Sequence, residues 1–99
     1  MKKIPIRVLE NETRKTFRCN IIEGVHSWQC IFYQEYFQFK FINEDTLENC
    51  MLSLAIYLEK FNDISIFAED ESDAIYIAIL CSHIRLIRSE KLMNRKNHG

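Results

Sequence analysis

The side chains in this 99-residue chain that could do chemistry are three histidines, four cysteines and fourteen carboxylates. His26 follows the Glu23-Gly24 break and His98 sits beside the C-terminal residue, both places where a histidine is ordinarily a surface group. His83 could be set beside Cys81 or Glu90 as a dyad. Nucleophilic catalysis, however, needs an oriented base and preorganised donors for the developing charge. A chain with two glycines has no glycine-rich elbow or phosphate loop to supply them. H-E-x-x-H, G-x-S-x-G and the P-loop are all absent. The expectation is a protein that is not an enzyme and uses no cofactor.

Cys19, Cys30, Cys50 and Cys81 stand 11, 20 and 31 positions apart, with no C-x-x-C pair. A structural zinc site ordinarily shows two close ligand pairs. Each cysteine lies inside an apolar segment, where it reads as a small buried hydrophobe, reduced as in the cytosol. The run Glu69-Asp70-Glu71-Ser72-Asp73 lacks the alternating oxygen ligands and the glycine of a calcium loop. No metal is expected.

Charge is patterned more strongly than these groups. Residues 1–20 carry +4, residues 21–82 carry −9 and residues 83–99 carry +4, so the net charge of −1 conceals three blocks. Acidic residues favour helix starts, which explains part of the central block. They also form a docking surface for a basic partner, where complementary charge raises association rates and suppresses wrong partners. The candidate contacts are Glu44, Asp45, Glu48, Asp63, Glu69, Asp70, Glu71 and Asp73. Tyr33 and Tyr36 join them as anchors, since tyrosines are enriched at interface hot spots and this pair flanks a proposed Gln34-Glu35 turn. Direct nucleic-acid binding is disfavoured, because phosphates are repelled by the central block and the aromatics have Gln and Glu as sequence neighbours.

These groups have to be positioned by short elements. Residues 4–9 and 15–22 alternate with period two around the polar stretch 10–14 and read as a hairpin. Residues 28–33 and 37–42 read as a second strand pair, with Phe37, Phe39 and Phe41 on one face and Gln38 and Lys40 on the other. Asp45 with Glu48 matches a capping box, opening a helix whose stripe is Leu47, Met51, Leu54, Leu58 and Phe61 and which ends at Asn62-Asp63. Ile64, Ile66 and Ala68 mark one more strand. A second helix starts near Asp70 or Ser72. Its far end is open: either it stops near 82 and residues 83–88 form a last strand, or one long helix continues.

An 11.9 kDa chain fits one domain, and a fold of this mass leaves roughly 6,000 Å² wet, enough for one core without bridges. Apolar residues at 47% exclude intrinsic disorder. The longest apolar run, Ala74 to Cys81, is far below the roughly 20 residues that span a bilayer, and no cleavable signal is visible. The expectation is a cytoplasmic α+β domain over residues 1–93. It has an antiparallel sheet of four to six short strands with two helices on one face, and residues 94–99 form a flexible tail. The function expected from charge is a binding protein that neutralises a basic partner, of the type of an immunity protein against a bacterial nuclease toxin. The alternatives are a phage-encoded inhibitor of a nuclease defence system, or a nucleic-acid-binding regulator using the basic chain ends.

Overall fold

A computed structural model describes the backbone of residues 1–98 and the side chains of residues 1–95. Five strands, β1 (Lys3–Glu10), β2 (Thr16–Glu23), β3 (Trp28–Gln34), β4 (Phe37–Glu44) and β5 (Ile64–Ala68), form one antiparallel sheet in the order β4-β3-β2-β1-β5. The helices α1 (Leu47–Glu59) and α2 (Ala74–His98) both pack on one side of it, α1 over β3 and β4 and α2 along β5. The fold is α+β.

The first four strands are a meander held by short turns. Between β1 and β2, Glu10 pairs its backbone with Lys15 while Arg14 takes a φ of 63°. Between β2 and β3, the Gly24 amide donates to the Ser27 carbonyl at 2.7 Å, and a Cβ on Gly24 would stand 2.9 Å from that oxygen. Only glycine allows that approach. Alternation then divides each strand. Ile4, Ile6 and Val8, Phe17, Cys19 and Ile21, and Cys30 and Phe32 face the helices and are buried, meeting Cys50, Met51, Leu54, Ala55 and Leu58 of α1 and Leu80 and Ile84 of α2.

β4 departs from the alternation its sequence predicts. The register shifts between Phe32 and Tyr33, so that Lys40 pairs with Phe32, Phe41 with Ile31 and Gln38 with Tyr33. Phe39 and Lys40 therefore both turn toward the helices, Phe39 against the rings of Phe17 and Phe32, Lys40 with its Nζ 4.5 Å from the Tyr57 ring centre. Phe41 turns away. The bulge and the inward lysine are devices that keep a long free edge strand from pairing with another chain.

The helix starts also differ in detail. Thr46, not Asp45, caps α1, its Oγ1 accepting from the Asn49 amide at 3.1 Å, an interaction worth about 1 kcal/mol. The helix ends at Glu59, earlier than Asn62. A short 3₁₀ turn over Glu71–Asp73, capped by Asp70, leads into α2. That helix continues through residues 83–88, so no last strand forms there. Its buried line is Ile77, Leu80, Ile84 and Ile87, one position off the line through Ala74, Cys81, Arg85 and Arg88, which leaves both arginines exposed. Residues 94–98, expected as a tail, have helical backbone; Gly99 lies outside the described residues. Toward this end of α2, Arg88 donates to the Phe61 carbonyl at 2.9 Å and Lys91 to the Glu59 carboxylate at 2.6 Å.

Both size measures exceed those of a compact body. The accessible surface is 6784 Å², against roughly 6,000 Å² for this mass. The radius of gyration is 14.1 Å, against about 12.6 Å for a chain of this length. The surplus comes from the overhanging end of α2 and from a sheet with one face left open. Among the described residues, no helix is long and apolar enough to cross a membrane.

Candidate functional site

The placement of the carboxylates follows from the topology. β4 and β5 run in the same direction, each leads directly into a helix, and so both helices begin at one end of the molecule. Glu44, Asp45 and Glu48 surround the start of α1; Glu69, Asp70, Glu71 and Asp73 surround the start of α2. The two groups are separated by four inter-strand spacings, about 19 Å. Glu23, which the sequence reading passed over, lies between them at the end of β2 and accepts from the Lys2 amide at 3.1 Å.

The chain neutralises part of this end itself. Asp73 is 4% exposed and its carboxylate lies 3.6 Å from the Lys2 ammonium. Glu69 lies 3.7 Å from Arg7. Glu44 accepts from the Ser53 hydroxyl at 2.8 Å, which fixes it against α1. Asp70 accepts from the Ser72 amide and hydroxyl at 3.0 and 2.9 Å, and these bonds hold its carboxyl below the usual range, with the Lys2 charge adding to them. Asp45, Glu48 and Glu71 are exposed.

Three of the expected contacts lie elsewhere. Asp63 is at the opposite end of the molecule, where the Asn11 side-chain amide donates to it at 2.9 Å. Tyr36 is 94% exposed in the β3–β4 turn at that same end, and Tyr33 sits on the face of the sheet that no helix covers. The expected contact set is therefore not one surface: seven carboxylates gather at the helix-start end, and Asp63 and the two tyrosines do not join them.

The remaining reactive groups are placed as follows. Cys19, Cys30 and Cys50 are buried and Cys81 half-buried, all as free thiols. Burial pushes the Cys50 thiol up to about 12, with Cys30 and Glu44 adding to it; a hydrogen bond with Cys19, then burial, pushes Cys30 up further. Such thiols are poor nucleophiles at neutral pH. His26 is exposed in a turn, and His83 lines a groove between the helices with Glu48, Tyr76 and mostly apolar side chains. Among the described residues, no three His, Cys, Asp or Glu side chains cluster closely enough to hold a metal ion.

The group the sequence reading missed is cationic and lies on the uncovered face of the sheet. Arg7 of β1 and Arg18 of β2 are direct cross-strand partners, with Tyr33 beside Arg18 and Phe67 beside Arg7. No family model, characterised protein or solved structure matches this chain, so what these surfaces do has to be argued from their chemistry.

Proposed function

We propose that the protein is a non-catalytic binding protein that neutralises a basic protein partner through its helix-start end. The observation that carries the reading is the convergence of Glu23, Glu44, Asp45, Glu48, Glu69, Asp70, Glu71 and Asp73 on the end where both helices begin, with Lys2, Lys3 and, beside Glu69, Arg7 as the cations near it. Asp73, Glu69 and Asp70 build this end and hold its shape. Asp45, Glu48 and Glu71 are the free charges that meet the partner. A patch about 19 Å wide suits the cationic cleft of a nuclease, which receives phosphates and accepts carboxylates in their place. An inhibitor of a nuclease toxin, working in the cytoplasm of the cell that makes the toxin, is the concrete form of the proposal.

The test is co-expression with any nuclease toxin encoded beside the gene, and inhibition of that nuclease by the purified protein. The native protein should protect the cells and suppress cleavage. A triple charge reversal, Asp45→Lys with Glu48→Lys and Glu71→Lys, should abolish both while the circular dichroism spectrum stays native; the thermal midpoint falls by several degrees, since Glu48 and Glu71 stand in first turns. Inhibition that survives the triple reversal, or a partner whose contact surface is acidic, overturns the reading.

A further inference from the structure

One row of cross-strand neighbours crosses all five strands on the uncovered face: Gln38, Tyr33, Arg18, Arg7 and Phe67. Arg18 and Arg7 are directly opposed, a position in which like charges destabilise a sheet. Their internal partners offset little of this. Arg7 has Glu69 at 3.7 Å, and Arg18 gives one of its five N–H donors to the Glu35 carbonyl at 3.1 Å. That tether aims the guanidinium along the face and leaves its other donors free. Two adjoining depressions, of about 750 and 740 Å³, meet at Arg7 and Thr16. One runs toward Arg18, Tyr33 and Lys15, the other toward Phe67.

The rest of the face fits the same ligand. By alternation the strands place the amides Asn20, Gln29, Gln38 and Asn43 there, and no strand carboxylate; Glu35 lines the depression beside Arg18 and Tyr33, and Glu69 lines the one beside Phe67, 3.7 Å from Arg7. We infer that this face binds single-stranded nucleic acid, Arg7 and Arg18 holding phosphates while bases stack on Tyr33 and Phe67. Tyr33 and Phe67 are three strand spacings apart, about 14 Å, which accommodates a few nucleotides. Single-strand binders combine a cationic track with aromatic platforms, and side-chain amides can reach base edges. An acidic peptide would use the arginines but leave the aromatics and amides idle. A duplex would need an element that enters a groove, and this face is an open sheet. The site meets the acidic end only at Glu69, and Asp45, Glu48 and Glu71 take no part in it, so the charge reversal and the oligonucleotide titration test the two readings separately.

The test is fluorescence anisotropy of labelled oligothymidylate and oligouridylate, each about 12 nucleotides long, with the full chain. Two phosphate contacts predict that affinity falls about sevenfold between about 50 and 200 mM salt. Arg18→Gln should lower the logarithmic salt slope by about 0.7. Tyr33→Ala should weaken binding about tenfold and Tyr33→Phe should retain it, since the ring does the stacking. Arg85→Gln, on the exposed side of α2, should change nothing. The inference is overturned if neither oligonucleotide binds at about 50 mM salt, or if Arg85→Gln weakens binding as much as Arg18→Gln, which would place binding on the basic helix. It is also overturned if polyglutamate of matched charge competes as well as the oligonucleotides, or if the chain self-associates in a way that Arg18→Gln abolishes.

Discussion

The two faces of this sheet are built from the same strands by alternate residues, and they are opposite kinds of surface. The helix-covered face buries Ile4, Ile6, Val8, Phe17, Cys19, Ile21, Cys30 and Phe32, and at its β4 edge Lys40, lying over Tyr57, and Glu44, bonded to Ser53, turn toward α1. The open face carries Arg7, Arg18 and four amides among half-buried apolar side chains. One is filled to exclude water. The other holds two like charges side by side, which adds nothing to folding. A surface that is costly to the fold and open to solvent is where binding is to be sought.

The sharpest way to break the comparison uses two adjacent residues. Phe32 is fully buried against Phe17, Phe39 and Tyr57, whereas Tyr33 is half-exposed on the other face. Phe32→Ala should cost about 3–5 kcal/mol in urea unfolding, a large part of the total stability of such a domain. Tyr33→Ala should cost about 1 kcal/mol or less. Equal costs would mean that the open face is packed against something in solution.

The second difference is chemical. The covered face holds thiols that folding keeps protonated: burial moves Cys50 from 9.0 to about 12, and Cys30 shifts in the same direction. A folded value above the unfolded one gives stability that is whole below the unfolded value and is lost as pH rises toward the folded one. Unfolding midpoints should therefore fall between pH 9.0 and about 12, and Cys50→Ala should flatten part of that decline. Tyr57, whose hydroxyl burial also pushes up, adds to the loss with the same sign.

Why one face was legible and the other was not follows from what sequence periodicity contains. Alternation in 4–9, 15–22 and 64–68 and the Leu47–Leu58 stripe located β1, β2, β5 and α1, and with them the core. Periodicity says which residues share a face of their own strand; it does not say which residue stands opposite. The sequence neighbours of Tyr33 are Phe32 and Gln34, but its spatial neighbour is Arg18. The pairing Arg7↔Arg18 follows from the hairpin once its turn is fixed at 11–15, a register the polar stretch 10–14 came close to defining. Two local events defeated the pattern. The bulge after Phe32 exchanges the faces of Lys40 and Phe41, and a shift of one position in the buried line of α2 frees Arg85 and Arg88. The gathering of acids at one end was hidden for a third reason: it depends on β4 and β5 running parallel at opposite edges, which is a property of the strand order.

A smaller effect sharpens the comparison at the rim of the open face. Glu35 holds a φ of 55° in the β3–β4 turn, and its carboxylate stands beside the arginine row. Left-handed backbone costs a side-chain-bearing residue about 1–2 kcal/mol, from which the greater unfolded freedom of glycine takes back about 0.5–1 kcal/mol. Glu35→Gly should thus stabilise by about 0.5–1 kcal/mol, raising the midpoint by a few degrees. It should also strengthen oligonucleotide binding by removing a carboxylate from the face. A gain in stability with no gain in affinity would separate the turn from the site.

The smallest effect tests the founding asymmetry itself. If Arg7 and Arg18 repel each other, Arg7→Gln removes the repulsion at the expense of one long, exposed contact to Glu69, whose own worth is near zero. Stability should therefore rise or stay level, within about 0.5 kcal/mol, where loss of an ordinary structural arginine would lower it. Salt provides the control. Screening relieves the native pair, so the native protein should gain more stability than Arg7→Gln when ionic strength is raised from about 0.01 to 0.15 M, over which the Debye length falls from about 30 to 8 Å. Parallel salt responses would show that the guanidiniums do not feel each other, and the open face would then be a solvated surface with no charge held against the interest of the fold.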